Sequence, residues 1–177
     1  MSMTIREIWT SAHGMIFGAV FLLAFAGGLA GLYSMRPALL TAEGLQERVR
    51  RVKWGTGLMA VIAWITVVTG TYIVYPWYRA KPPEGLTDLT AYPRSFLKAN
   101  EALSGWHVFG MEWKEHVAWV SPILATAAFY IVLKYGTQLA EDKQLRYMTM
   151  VIYILAFAAA AVAGLLGALI TKAAPVV

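Results

Sequence analysis

Four uncharged apolar runs divide the chain, at residues 15–33, 55–76, 117–133 and 148–171, and none contains Asp, Glu, Lys, Arg or His. Each approaches or exceeds the roughly 20 residues that a helix needs to cross about 30 Å of hydrocarbon. The pattern predicts an all-α integral membrane protein, a four-transmembrane-helix up-down bundle with helices at about 5–34, 54–77, 112–135 and 146–172. It forms a single bundle over residues 1–177, with one longer outer loop, 78–111, that carries a short interfacial helix. Within that loop Lys81-Pro82-Pro83 ends any helix, and Pro93 opens the short one, with Phe96, Leu97 and Leu103 on its apolar side, lying along the membrane surface. A basic start before an apolar run is also the layout of a secretory signal. Here the run is long and no small-residue cleavage site follows, so it is read as a retained helix, capped by Thr4 with Glu7 three residues on.

Polar positions set the orientation. Residues 34–54 form the first loop and hold Arg36, Arg48, Arg50, Arg51 and Lys53. The positive-inside rule makes this loop cytoplasmic and both termini outer, in the plasma (inner) membrane. The third loop, with Lys134, Lys143 and Arg146, then also falls inside. The outer loop has basic residues of its own, Arg79, Lys81, Arg94 and Lys98. Trp9, Trp77, Tyr78, Trp106 and Trp113 cluster at the outer face, as interfacial aromatics do.

Composition agrees. The 177 residues are 59% hydrophobic and 14% charged, with a mean hydropathy of +0.57, more apolar surface than a soluble domain of this size hides. There is no cysteine, which excludes disulfides, iron–sulfur clusters, thiolate ligands and c-type haem attachment. The net charge of +5 belongs to segments flanking a bilayer and does not indicate nucleic-acid binding. No internal repeat supports an inverted-repeat transporter, and no charged residue lies within an apolar run to serve as an ion site.

The chain has three histidines, and this topology puts all of them at the outer face. His13 and His116 each stand just before an apolar run, on the first and third helices. In an up-down bundle those helices are parallel and diagonal, so two histidines at matched depth reach inward from opposite sides. A haem fits between them, with room from the small residues Gly14, Gly70, Gly164 and Gly167 and neutralising charge from the outer arginines and lysines. Small-xxx-small pairs, Gly14/Gly18 and Gly27/Gly31, favour close approach of a helix or a flat cofactor.

This arrangement resembles the four-helix core of membrane cytochromes b, in which histidines on two diagonal, parallel helices hold haem b. The resemblance is architectural and covers the four spans. It implies one haem b with His13 and His116 as the axial, metal-bound ligands, and His107 as a substitute ligand, a propionate partner or a proton-handling group. Such cores usually carry a second pair across the bilayer, and here only the outer pair is present. The expected function is a b-type haem electron-transfer subunit linked to quinol or to a periplasmic cytochrome, with Glu112, Glu115 or His107 taking a quinol proton. The competing expectation is a structural accessory subunit of a larger respiratory or photosynthetic complex, embedded in lipid and holding no redox cofactor. A third arrangement, Glu112 and His116 on one helical face with His107 or His13, offers a Zn, Cu or Fe site. The same acidic residues near a helix N-terminus also favour the dipole unaided.

Overall fold

The computed structural model describes residues 3–175, and every regular element among them is helical. Four helices are long and apolar enough to cross a membrane: α1 (Ile5–Tyr33), α2 (Ala42–Tyr78), α4 (Trp106–Tyr135) and α6 (Lys143–Ala173). Between them lie the short helices α3 (Pro93–Ala99) and α5 (Gln138–Glu141).

Each start has a local cause. At α1 the Thr4 side chain accepts from the Glu7 N–H at 3.2 Å, and the Glu7 carboxylate accepts from the Thr4 N–H at 2.7 Å. This is the reciprocal cap expected from the sequence. Thr41 Oγ1 accepts from the Gly44 N–H at α2, and Asp142 Oδ1 from the Leu145 N–H at α6. Pro93 occupies the first turn of α3, where its missing N–H costs nothing. In the segment before α3, Asp88 accepts from the backbone and hydroxyl of Thr90, which holds its carboxyl below the ordinary range.

The helices outrun the apolar runs. At 1.5 Å per residue, the 37 residues of α2 extend about 55 Å, well beyond the roughly 30 Å of hydrocarbon. Arg48, Arg50, Arg51 and Lys53, expected in a loop, are therefore on a helix. Likewise α4 begins at Trp106, so Glu112, Lys114, Glu115 and His116 lie inside a membrane-length helix. That helix loosens into a turn at Ala118 and Trp119, just before Pro122. Proline has no N–H to give and crowds the carbonyl four residues earlier.

The described chain divides into two compact units. One comprises Ala19–Trp64 and Val120–Ala160. Its core holds Leu32, Val52, Met59, Val132 and Tyr153, all at most 1% exposed. Glycine lets its helices meet. Gly28 of α1 faces the Tyr153 ring of α6, and a Cβ on Gly55 of α2 would stand 3.0 Å from the Gly28 backbone. The Tyr153 hydroxyl donates to the Ala24 carbonyl at 2.9 Å, and Phe25 stacks on Phe157 with centroids 3.9 Å apart. Arg146 is buried and donates to the Leu139 and Ala140 carbonyls at 2.8 and 3.0 Å, closing α5. The expected pairs Gly14/Gly18 and Gly27/Gly31 are not the contact surface as a set: open space surrounds Gly14, Gly18 and Gly27, while Gly31 packs on Val52. Large side chains such as Leu23, Val61 and Ile123 stay exposed, a surface that suits lipid.

The other unit comprises the chain up to Gly18, Ile65–Trp119, and the chain from Ala161 onward. Tyr78, Leu97, Met111, Ile170 and Ala174 form its buried cluster, with Phe96, Leu103 and Trp106 packed against it. The apolar side of α3 is thus buried within the protein. All three histidines belong to this unit.

Candidate functional site

Three π-helical turns, Ala12–Ile16, Gly70–Val74 and Trp106–Met111, occur in the histidine-bearing unit. Such turns widen the helix by one residue and re-aim side chains, and they recur at functional sites. His13 lies in the first, Gly70 opens the second and His107 lies in the third.

The His13 ring meets Gly70 through its Cε1 corner, where the absent Cβ would stand 2.6 Å from Cε1 and 3.2 Å from Nε2. The ring is hydrogen-bonded to the backbone of Thr66, one turn earlier on α2. Its Nδ1 is buried with no hydrogen-bond partner. One nitrogen is therefore held by the neighbouring helix while the other is left over.

His107 is buried, 6% exposed, and both its nitrogens are engaged. Arg94 Nε donates to Nε2 at 3.4 Å. Nε2 is thus the acceptor of a neutral ring, and Nδ1–H donates to the Tyr78 hydroxyl at 2.9 Å. His116 is exposed. Its Nδ1–H donates to the Glu112 carbonyl one turn back at 2.6 Å, which orients the ring.

Lys114 is the residue of this stretch that turns into the unit. Its Nζ lies 2.8 Å from where a Cβ on Gly167 would be. It interacts electrostatically with His13 and with Glu115. Glu115 takes a hydrogen bond with the Tyr75 hydroxyl and keeps Oε1 buried without a partner. Arg79 NH1 donates to the same Tyr75 hydroxyl at 3.1 Å. A polar line thus runs from exposed Arg79 through Tyr75 to Glu115, with Lys114 and His13 beyond it.

Lys114 was unforeseen because it reads as part of a solvated collar. The signal was present in the spacing. At 100° per residue, charges at 112, 114, 115 and 116 leave no free sector wider than about 160°. A helix packed on two sides must then turn one of them inward.

Among the expected site residues, Gly70 and Gly167 make room for His13 and Lys114, while Gly14 and Gly164 have open space around them. His116 stands about 200° around the helix from Lys114. Among the described residues no group of three or more His, Cys, Asp or Glu side chains is placed to hold a metal ion. Glu112 and His116 therefore do not grow into the expected Zn, Cu or Fe site. For haem iron, the orphaned Nδ1 of His13 fits a ligand, and His116 offers a free Nε2 on the exposed side of its helix.

No family model matches the chain, and neither a curated protein nor a solved structure is similar to it.

Proposed function

We propose that the chain is a membrane-bound electron-transfer subunit carrying one haem b at the histidine-bearing end. The supporting observation is His13, with one nitrogen bonded to the Thr66 backbone and Nδ1 buried and unpartnered. A buried nitrogen without a partner is costly, and intramembrane ionisable groups are functional by default. Haem iron would satisfy it, and the residues that would hold the haem are His13 and, as the candidate second ligand, His116, whose ring is bonded to the Glu112 carbonyl. Haem, when bound, supplies the one-electron redox chemistry.

The remaining groups belong to the chain itself. Thr66 and Gly70 position the His13 ring. Lys114 sets a positive charge near it and Glu115 a negative one. Glu115 is the group that would take a proton from quinol, and the Tyr75 hydroxyl links it to the fixed positive charge of exposed Arg79. By the positive-inside rule, Arg36 and the arginines of α2 support a cytoplasmic side for the connection between α1 and α2. The histidine end is then periplasmic, in the plasma membrane, with both termini outside and quinol or a periplasmic cytochrome as redox partner within a larger complex.

One observation favours a second reading, an accessory subunit without a redox cofactor. His116 is exposed and faces away from Lys114.

Replacing His13 with alanine is expected to reduce bound haem from about one per chain to none, with helical content unchanged. Haem per chain and circular dichroism on the same sample check this. Full haem in His13→Ala would remove His13 as a ligand, and haem-free wild-type protein would favour the second reading.

A further inference from the structure

We propose that a recess at the arginine-rich start of α2 binds the phosphate of an anionic lipid headgroup. The recess, about 320 Å³, is lined by Gln46, Val49, Arg50, Lys53 and Thr137. The four α2 residues follow the spacing of a single helical face, i, i+3, i+4 and i+7. Thr137 reaches this face because Gly136 has no side chain: a Cβ there would stand 3.0 Å from Val49 Cγ1 and 3.8 Å from Lys53 Cε.

The lining is chemically one-sided. Gln46, Arg50, Lys53 and Thr137 all donate hydrogen bonds, none carries negative charge, and buried Val49 supplies an apolar floor. Arg50 and Arg51 both engage Glu47, at 2.8 and 2.7 Å. Lys53 is half-buried and forms no ion pair among the described residues. A lysine amine, a guanidinium, an amide and a hydroxyl around one recess match a tetrahedral oxyanion.

The source of the anion follows from the next residue. Trp54 is 76% exposed, and exposed tryptophan on a membrane helix sits at headgroup depth, where lipid phosphates lie. Basic recesses between membrane helices at this level hold anionic headgroups. Inorganic phosphate presents the same oxyanion without the acyl chains.

The test uses the full chain, purified in detergent and offered phosphatidylglycerol, phosphatidylcholine or inorganic phosphate. Lipid retention is read by native mass spectrometry and stability by Tm. Phosphatidylglycerol should be retained about fivefold over phosphatidylcholine and should raise Tm, while inorganic phosphate leaves Tm unchanged. Lys53→Gln should abolish the preference and Lys53→Arg should keep it. Thr137→Val, on the other segment, should weaken it without touching the cationic face. A Tm rise with inorganic phosphate alone, lost in Lys53→Gln, overturns the lipid proposal and assigns the recess to a soluble phosphate. Equal retention of the two lipids with no phosphate effect overturns the proposal, as does a preference that survives in Lys53→Gln/Arg50→Gln.

Discussion

Valine at position 28 should cost the protein about 2–3 kcal/mol of stability, the scale of overpacking in a filled core. Gly28 has no free volume on its packed side. A Cβ there would come 2.8 Å from Cζ of Tyr153. Tyr153 cannot retreat, because it is fully buried, stacks on Phe25 at 5.5 Å and donates its hydroxyl to the Ala24 carbonyl. Gly55 closes the other side, its Cβ position 3.0 Å from the Gly28 backbone. Valine at Gly14, on the same helix but surrounded by open space, should change stability by no more than about 0.5 kcal/mol. Unfolding in mixed detergent micelles, followed by circular dichroism, compares the two. Helix propensity alone favours valine over glycine at both positions, so equal losses would mean that the α1–α2–α6 contact does not set the cost.

Lys114→Met should be nearly as damaging, for an electrostatic reason. Removing the ammonium leaves Glu115 with a buried, unpartnered oxygen and without the positive charge beside it. Lys114 and Glu115 interact through space and form no ion pair among the described residues, so the loss falls below the about 3–5 kcal/mol typical of breaking a buried ion pair. Arg79 reaches Glu115 through the Tyr75 hydroxyl, so it does not replace the lysine, and the expected loss is about 2 kcal/mol. The double variant Lys114→Met/Glu115→Gln should recover most of that loss, since a neutral amide needs no countercharge. The same unfolding assay measures both. If the double variant is as unstable as Lys114→Met alone, the lysine matters through its packing on Gly167 and the charge account fails.

The four long helices were legible because apolar runs of that length have few other uses in a chain. The Thr4–Glu7 cap and the start of α3 at Pro93 were legible because they depend on neighbours in sequence. The true starts of α2 and α4 were not. Hydropathy reports where hydrocarbon ends, while hydrogen bonding carries the helix on through residues 42–53 and 106–111. Spacing of small residues showed that α1 approaches something closely, but not which side does so. Gly27 and Gly28 point 100° apart, and only tertiary packing chose Gly28. The candidate site divides the same way. Three histidines near the helix ends were visible at once. The ring contacts of His13 with Gly70 and Thr66, and the Tyr78–His107–Arg94 set, depend on which helices are neighbours, and no spacing within one segment encodes that.

The reading of His13 as a haem ligand rests on a single buried nitrogen, and one spectrum tests it. The purified protein, isolated from its membrane without harsh detergent, is recorded reduced minus oxidised, with haem quantified per chain. The account predicts the bands of a low-spin b haem at about one haem per chain, absent from His13→Ala. A colourless wild-type protein, folded and at full helical content, would contradict it and leave the chain a structural subunit of its membrane complex.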